Sequence, residues 1–320
     1  MTLFLSSVAA FGQLLPGTRA NRLLILIYHR VHTGPDPMFP GEVDAERFDW
    51  QIGLLRRYCN PLPLADGVAR LRRDDLPSRA VAVTFDDGYA DNEAVALPIL
   101  RKHAVPATFF IAPGFLDGGR MWNDSIIEAL RRAPGDALET GAVGLGTLSL
   151  SGRQSLGLVA EHIIKAVKHL PTEQRSAIVE EFCARVGAEL PTDLMMTRDQ
   201  VQRLASAGME IGAHTMTHPI LRTLSDEEAR REIHESRAVL ESMVGGSVRA
   251  FAYPNGRPRD DYSERDKAIV KSLGFDYALS TQWGAASARS DPYQLPRFTP
   301  WDQEPARWLG RLLLRFQHAA

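Results

Sequence analysis

Apolar residues along the chain fall into short unbroken runs, and these alternate with stretches in which apolar positions recur every three or four residues. The short runs predict buried strands: LLILIYH (23–29), AVAVTFDD (80–87), ATFFIAP (107–113), MEIGAHT (209–215), VRAFAYP (248–254) and DYALST (276–281). The longer pattern predicts amphipathic helices near 46–58, 91–103, 198–207, 225–244 and 263–273. In the fourth of these, Ser225 and Glu228 make a capping box, and Gly245-Gly246 ends the helix. Ala229, Ile233, Leu240 and Met243 mark its apolar face. Strands and helices in turn predict βα units, and hence an α/β fold built on a parallel sheet or barrel.

Residues 123–196 break that rhythm. They carry helical stretches around 124–133, 155–169 and 172–187, with a glycine-rich patch (Gly141, Gly144, Gly146) between the first two. Strand candidates continue on both sides, so the segment is expected to be a helical insertion or lid within one domain spanning 1–320. The C-terminal stretch near 304–318 sets Arg307, Arg311 and Arg315 on one face and Leu309, Leu312, Leu313 and Phe316 opposite. Such a helix packs on the barrel or lies on a membrane surface. The apolar segment 1–20 is short for a membrane span, is interrupted by Pro16-Gly17 and lacks a positive leader. It is expected to be a short helix docked on the domain or on a membrane, which leaves a cytoplasmic or a cell-envelope location open.

The strand ends share one property. LLILI leads to Tyr28-His29, AVAVTF to Asp86-Asp87, MEIGA to His214, VRAFA to Tyr253-Pro254-Asn255-Gly256 and DYALST to Gln282-Trp283. Polar groups at the carboxyl ends of successive strands gather on one rim, the end of an α/β barrel that carries chemistry. Bulk composition adds little. The 320 residues carry 37 Lys and Arg against 39 Asp and Glu, with no basic excess to draw nucleic acid. Cys59 and Cys183 belong to no Cys-x-x-Cys pair and read as small buried hydrophobes.

Two adjacent carboxylates ending a buried run call for a reason, since they repel each other and are costly to bury. His214 and His218, four apart, supply one: on a helix their rings share a face and grip one metal. Two imidazoles and a carboxylate are a zinc set with one position left for water. Asp87 then serves as the ligand and Asp86 as the free acid beside it.

TFDDGY (84–89) and HTMTHP (214–219) resemble the first two signature motifs of the polysaccharide deacetylases, the NodB-homology carbohydrate esterases. PATFF (106–110) and FAYPNG (251–256) resemble flanking phrases of the same family, and the similarity covers about 23–120 and 197–300. The resemblance implies a distorted (β/α) barrel, a divalent metal, usually zinc, and removal of N- or O-acetyl groups from a bacterial surface or extracellular polysaccharide. It implies Asp86 as general base, Asp87, His214 and His218 as metal ligands, and the Asn255 N–H as oxyanion donor. A metal hydrolase of a non-sugar amide or ester, and a non-catalytic scaffold of a polysaccharide assembly complex, stand as alternatives.

Two departures from the family pattern matter. Ala252 stands where the family's third motif has the arginine that holds the base, leaving Arg257 or Arg297 to substitute. The family's C-terminal Leu-x-His, the usual general acid, is missing: His234 lies on a helix and His318 three residues from the end. LILIYHRV (24–31) resembles the N-terminal phrase of exopolysaccharide-type members, which makes His29 the acid, with His32 next. Trp122 and Trp283 read either as walls of the pocket or as core residues, and Asp124 is a further acid near it.

Overall fold

The computed structural model describes residues 21–134, 137–139, 146–149, 153–299 and 301–316. Segment 1–20, Gly141, Gly144 and His318 lie outside the described residues. The strands are β1 (Arg22–Tyr28), β2 (Asn60–Pro61), β3 (Ala80–Phe85), β4 (Ala107–Ile111), β5 (Ala137–Glu139), β6 (Thr147–Ser149), β7 (Glu210–Ala213), β8 (Ala250–Ala252), β9 (Tyr277–Trp283), β10 (Ala286–Ser287) and β11 (Leu295–Arg297). The helices are α1 (Ala45–Tyr58), α2 (Leu64–Arg73), α3 (Leu97–His103), α4 (Trp122–Arg132), α5 (Arg153–Val167), α6 (Thr172–Val186), α7 (Arg198–Ser206), α8 (Asp226–Val244), α9 (Glu264–Ser272) and α10 (Pro305–Arg315).

Strands run in the order β10-β1-β3-β4-β7-β8-β9-β11, with β2 beside β3. Only β10 is antiparallel to its neighbour in this sheet. Phe298, just past β11, bridges Leu26 of β1 and exchanges hydrogen bonds with Ile25 and Ile27 at 2.8 and 3.1 Å. The sheet therefore curls into the expected distorted, nearly closed α/β barrel.

Alternation along β3 explains the packing. Val81, Val83 and Phe85 join the large core under the helices, where Phe85 stacks on Phe109 at 4.7 Å between ring centroids. Ala80 and Ala82 join the second core, with Ile25, Phe110, Leu279 and Leu295. The β3 side chains there are only alanines, and the barrel interior also holds the whole of Arg297, 1% exposed and lying over the Phe110 ring. Ten residues of α2 close the barrel's far end, with Leu64, Val68 and Leu71 against Leu23 and Ala80.

The predicted helix 225–244 forms as read, with the Ser225–Glu228 capping box and Gly245 in the left-handed conformation. The stretch 91–103 differs: a π-helical turn at Asn92–Ala96 runs into α3. The strand beginning at Ala80 ends at Phe85, so both acids stand in the following loop. The sequence reading passes over α2, although Leu64, Val68 and Leu71 keep a helical period, and β10 and β11, whose runs are too short to show one. In the irregular region stand α4, α5 and α6, which share a core of their own around Ile126, Ile163 and Phe182. The buried face of α10, with Leu309, Leu312, Leu313 and Phe316, belongs to the main core, and Trp308 meets Trp50 edge-on.

Candidate active site

The carboxyl ends of the strands open into a cavity of about 370 Å³. Asp86, Asp87, His214, His218, His29, His32 and Asn255 all line it. On β3 the inward positions are Ala80, Ala82 and Thr84, and Asp86 continues that register into the barrel. There Arg297 receives it with two parallel bonds, 2.7 Å to Oδ1 and 2.6 Å to Oδ2. The guanidinium is itself fixed by donating to the Ser280 carbonyl at 3.0 Å and Thr84 Oγ1 at 3.3 Å. Burial alone raises the Asp86 carboxyl; the Arg297 charge, aided by His214, outweighs it and holds the group below its ordinary range. Of the two arginines that replace the missing one at Ala252, Arg297 does so, arriving from the last barrel strand. The Arg257 side chain is exposed and forms no ion pair among the described residues.

Asp87 takes the other direction. Its φ of 77° lies in the left-handed region, and the following Gly88, at 93°, meets the Ile111 side chain where a Cβ would stand. The turn throws Asp87 toward the two histidines: Oδ1 lies 3.4 Å from Nε2 of His214 and 3.4 Å from Nε2 of His218. One ligand atom from each of the three residues falls within 4.8 Å of the others. Asp87 Oδ1 is buried and accepts no hydrogen bond among the described residues.

His214 donates from Nδ1 to the Ala252 carbonyl at 2.7 Å, which leaves Nε2 with a lone pair facing Asp87. Burial lowers His218 to about 4, so its ring is neutral near pH 7. An orphaned carboxylate oxygen between two imidazole nitrogens is a donor set for a divalent cation, and the residues present fit one. Asp87 sits well below the usual carboxylate range: burial raises it, but the His214 and His218 imidazoles that face it outweigh that.

The histidine pair does not lie on a helix, contrary to the sequence-based expectation. Residues 214–219 form a loop after β7, with Thr215 at φ 61° and His218 at φ 54°. Helical geometry is unnecessary because Glu232 of α8 clamps the loop. Its carboxylate accepts from the Met216 and Thr217 N–H groups at 2.9 Å each, and from Thr217 Oγ1 at 2.8 Å. No sequence signal marks Glu232, which reads as one more charge on a helix surface.

Asn255 has φ 59°, and its carbonyl and that of Gly256 accept from Thr281. Its N–H donates to no group among the described residues. His29 is exposed at the cavity edge; its carbonyl accepts from the buried Asn92 amide at 2.8 Å, which fixes the backbone beneath the ring. His32 is half-buried and lowered, by burial first and then by Arg30.

Asp124, 4% exposed, joins the cavity from the first turn of α4 and accepts from the Tyr89 hydroxyl at 3.1 Å to each oxygen. Burial pushes it up to about 7 against the opposing Arg30 charge. Trp122 lines the cavity, with Arg175 over its ring at 5.0 Å. Trp283 does not: it stacks on Trp301 at 4.6 Å beneath Arg315, because β9 runs on to residue 283 and carries the ring past the rim. Sequence reasoning also missed Lys168 and Arg175, which α5 and α6 bring to the cavity.

A buried acid locked to an arginine, beside a two-histidine, one-carboxylate cluster at the mouth of an α/β barrel, defines a class of hydrolase sites. The sequence profile of the polysaccharide deacetylases matches residues 73–134 and 153–278, and the chain belongs to that hydrolase family. The Bacillus subtilis (strain 168) protein YxkH, which bears a polysaccharide deacetylase name, is 21% identical over 277 residues, 86% of this chain and 70% of its own. The fold matches that of the Streptococcus pyogenes deacetylase PplD in complex with acetate, with a TM-score of 0.62 and 21% identity over 91% of this chain and 98% of the other. It also matches IcaB from Ammonifex degensii, with a TM-score of 0.59 and 19% identity over 93% of this chain and 97% of the other.

Proposed function

We propose that this chain is a divalent-metal-dependent hydrolase, with zinc the fitting ion, that removes N-acetyl groups from a bacterial surface or extracellular polysaccharide. The observation that carries this reading is the division of labour between neighbouring acids. Asp87 leaves a bare buried oxygen facing two imidazole nitrogens, while Asp86 is satisfied by Arg297 and stands beside them. A divalent ion held by Asp87, His214 and His218 supplies Lewis acidity toward water and the acetyl carbonyl.

The protein groups do the rest. Asp86, kept ionised by Arg297, takes the proton of the attacking water. The Asn255 N–H donates to the carbonyl oxygen as negative charge gathers on it. His29, at the open edge of the cavity, hands a proton to the departing amine, so that acetate and a free amino sugar leave. The polysaccharide deacetylase profile that matches the chain, and the name borne by YxkH, support the glycan.

The test combines elemental analysis with acetate release from N-acetylated oligosaccharides and from simple acetamides. Wild type should carry about one ion per chain, and His214→Ala should lose it, since removing one of three ligands costs more affinity than any change behind them. Asp86→Asn should keep the ion and lose turnover. Full metal in His214→Ala, or equal metal loss in Asp86→Asn, would overturn the assignment. Preference for simple acetamides would move the substrate away from glycans.

A further inference from the structure

The chain as a whole is slightly acidic, with a formal charge of −2, yet one side of the active-site cavity is basic. Lys168, at the end of α5, lines both this cavity and a second one of about 380 Å³. The second is lined by Lys168, Arg222, Arg257 and Arg259 against Asp260 and Asp261. Asp261 is 2% exposed and faces inward, where its carboxylate accepts the Arg257 N–H at 2.9 Å. Among the described residues, none of these four cations, nor Arg175 at the cavity wall, forms an ion pair with a carboxylate. Several arginines elsewhere are paired, such as Arg30 with Asp91 and Arg131 with Asp36, whereas the unpaired cations here converge on one groove.

The platform under this cluster is built. Arg259 N–H donates to the Tyr262 carbonyl, Asp261 N–H to the Arg257 carbonyl, and Arg222 N–H to the Asp261 carbonyl, at 2.9, 2.9 and 3.0 Å. The same loop, between β8 and α9, puts Asn255 into the acetyl cavity and Arg257 and Arg259 into the groove. A glycan strand with one sugar at Asn255 therefore has its neighbours beside these cations. Four cations against two carboxylates leave the groove net positive, and such a groove focuses the field and attracts anions.

We propose that the glycan taken by this site is anionic, its sugars next to the reacting acetyl group bearing carboxylate or phosphate that Lys168, Arg222, Arg257 and Arg259 receive. This rests on the deacetylase reading above and narrows it: a neutral homopolymer of N-acetylated amino sugars leaves the groove without a partner.

The test uses the full chain and three probes of equal length. One is a neutral N-acetylglucosamine oligomer, the second alternates N-acetylhexosamine with uronic acid, and the third carries glycerol phosphate. Binding and acetate release are measured at low salt and at about 0.2 M NaCl, where exposed charges are screened within roughly 7–8 Å. An anionic probe should bind about 10-fold more tightly than the neutral one at low salt, in line with a few exposed contacts of modest strength each. The preference should shrink with salt and disappear in Arg222→Glu/Arg257→Glu/Arg259→Glu. If that variant fails to fold, Arg257→Gln/Arg259→Gln should still reduce the preference. Whichever anionic probe wins names the source, carboxylate or phosphate.

Equal binding of neutral and anionic probes, or a preference that survives charge reversal, overturns the proposal even where acetate is released from all three. Absence of acetate from every probe, with the charge-dependent preference intact, overturns the deacetylase reading and leaves an anionic-glycan site standing.

Discussion

Asp86 and Asp87 share one peptide bond and have opposite partners, and the arginine makes that separation tolerable. Arg297→Met leaves the Asp86 carboxylate buried without its counter-charge, a loss of about 3–5 kcal/mol. Thermal denaturation should show that loss, and turnover should fall with it while the metal ligands stay intact. Asp124 gives a second residue-scale prediction, with its sign set by burial. Its folded value of about 7 lies above the ordinary carboxylate value of about 4. The stabilising contribution of the bound proton is fully present below about pH 4 and is lost as pH rises through 7. Metal-stripped wild type should therefore lose stability relative to Asp124→Asn between those values. Metal loading should pull the Asp124 titration downward, because the Asp87 charge is one of the causes holding it up. His29→Ala should slow N-acetyl hydrolysis by about 10²–10⁴-fold, the usual worth of a general acid. An activated ester, whose leaving group needs no proton, should be affected less; equal losses on both would point to His32.

At the scale of elements, the 214–218 loop depends on what lies beneath and beside it. Gly114 donates to the Met216 carbonyl at 2.9 Å, and a Cβ there would come within 2.5 Å of that oxygen. Gly114→Ala should push the loop outward and weaken metal binding with the ligands themselves unchanged. Glu232→Ala removes three bonds at once and frees His218 to move. A group that orients a ligand is typically worth 10–100-fold in metal affinity. Competition with a chelator should reveal such a loss with circular dichroism unchanged; unaltered affinity would show that the backbone holds the loop unaided.

The whole molecule has two layers of organisation around one cavity. The barrel supplies Asp86, Asp87, His214, His218 and Asn255, whereas α4, α5, α6 and the turn after α5 supply Trp122, Asp124, Ile127, Ile164, Lys168 and Arg175. The helices keep a largely separate core, in which Phe182 is 1% exposed. Phe182→Ala should cost about 3–5 kcal/mol. Because that core is separate, the loss should loosen the cavity wall before the barrel. KM for a glycan should rise while metal content stays at wild-type level; parallel loss of metal would mean the two parts unfold as one.

Much of this was legible in the chain. The order of strands and helices, the capped helix 225–244 and the polar residues at strand ends all follow from local pattern, since burial and hydrogen bonding impose the same periods everywhere. Asp86 with Asp87, and His214 with His218, were visible because each pair is a short local motif whose members lie close in sequence. What pattern could not decide was partnership between distant elements. Arg257 and Arg297 were equal candidates on paper; barrel closure brings Arg297, 211 residues away in sequence, onto Asp86. Glu232 was one acid among many until α8 packed beside the histidine loop, and the helical reading of His214 and His218 failed there for the same reason. Trp283 left the pocket because strand length, not its rim-like sequence position, set where the ring points. Sequence decides which elements form, through the spacing of apolar side chains; only closing the barrel decides which charges meet, because an ion pair depends on distance through space.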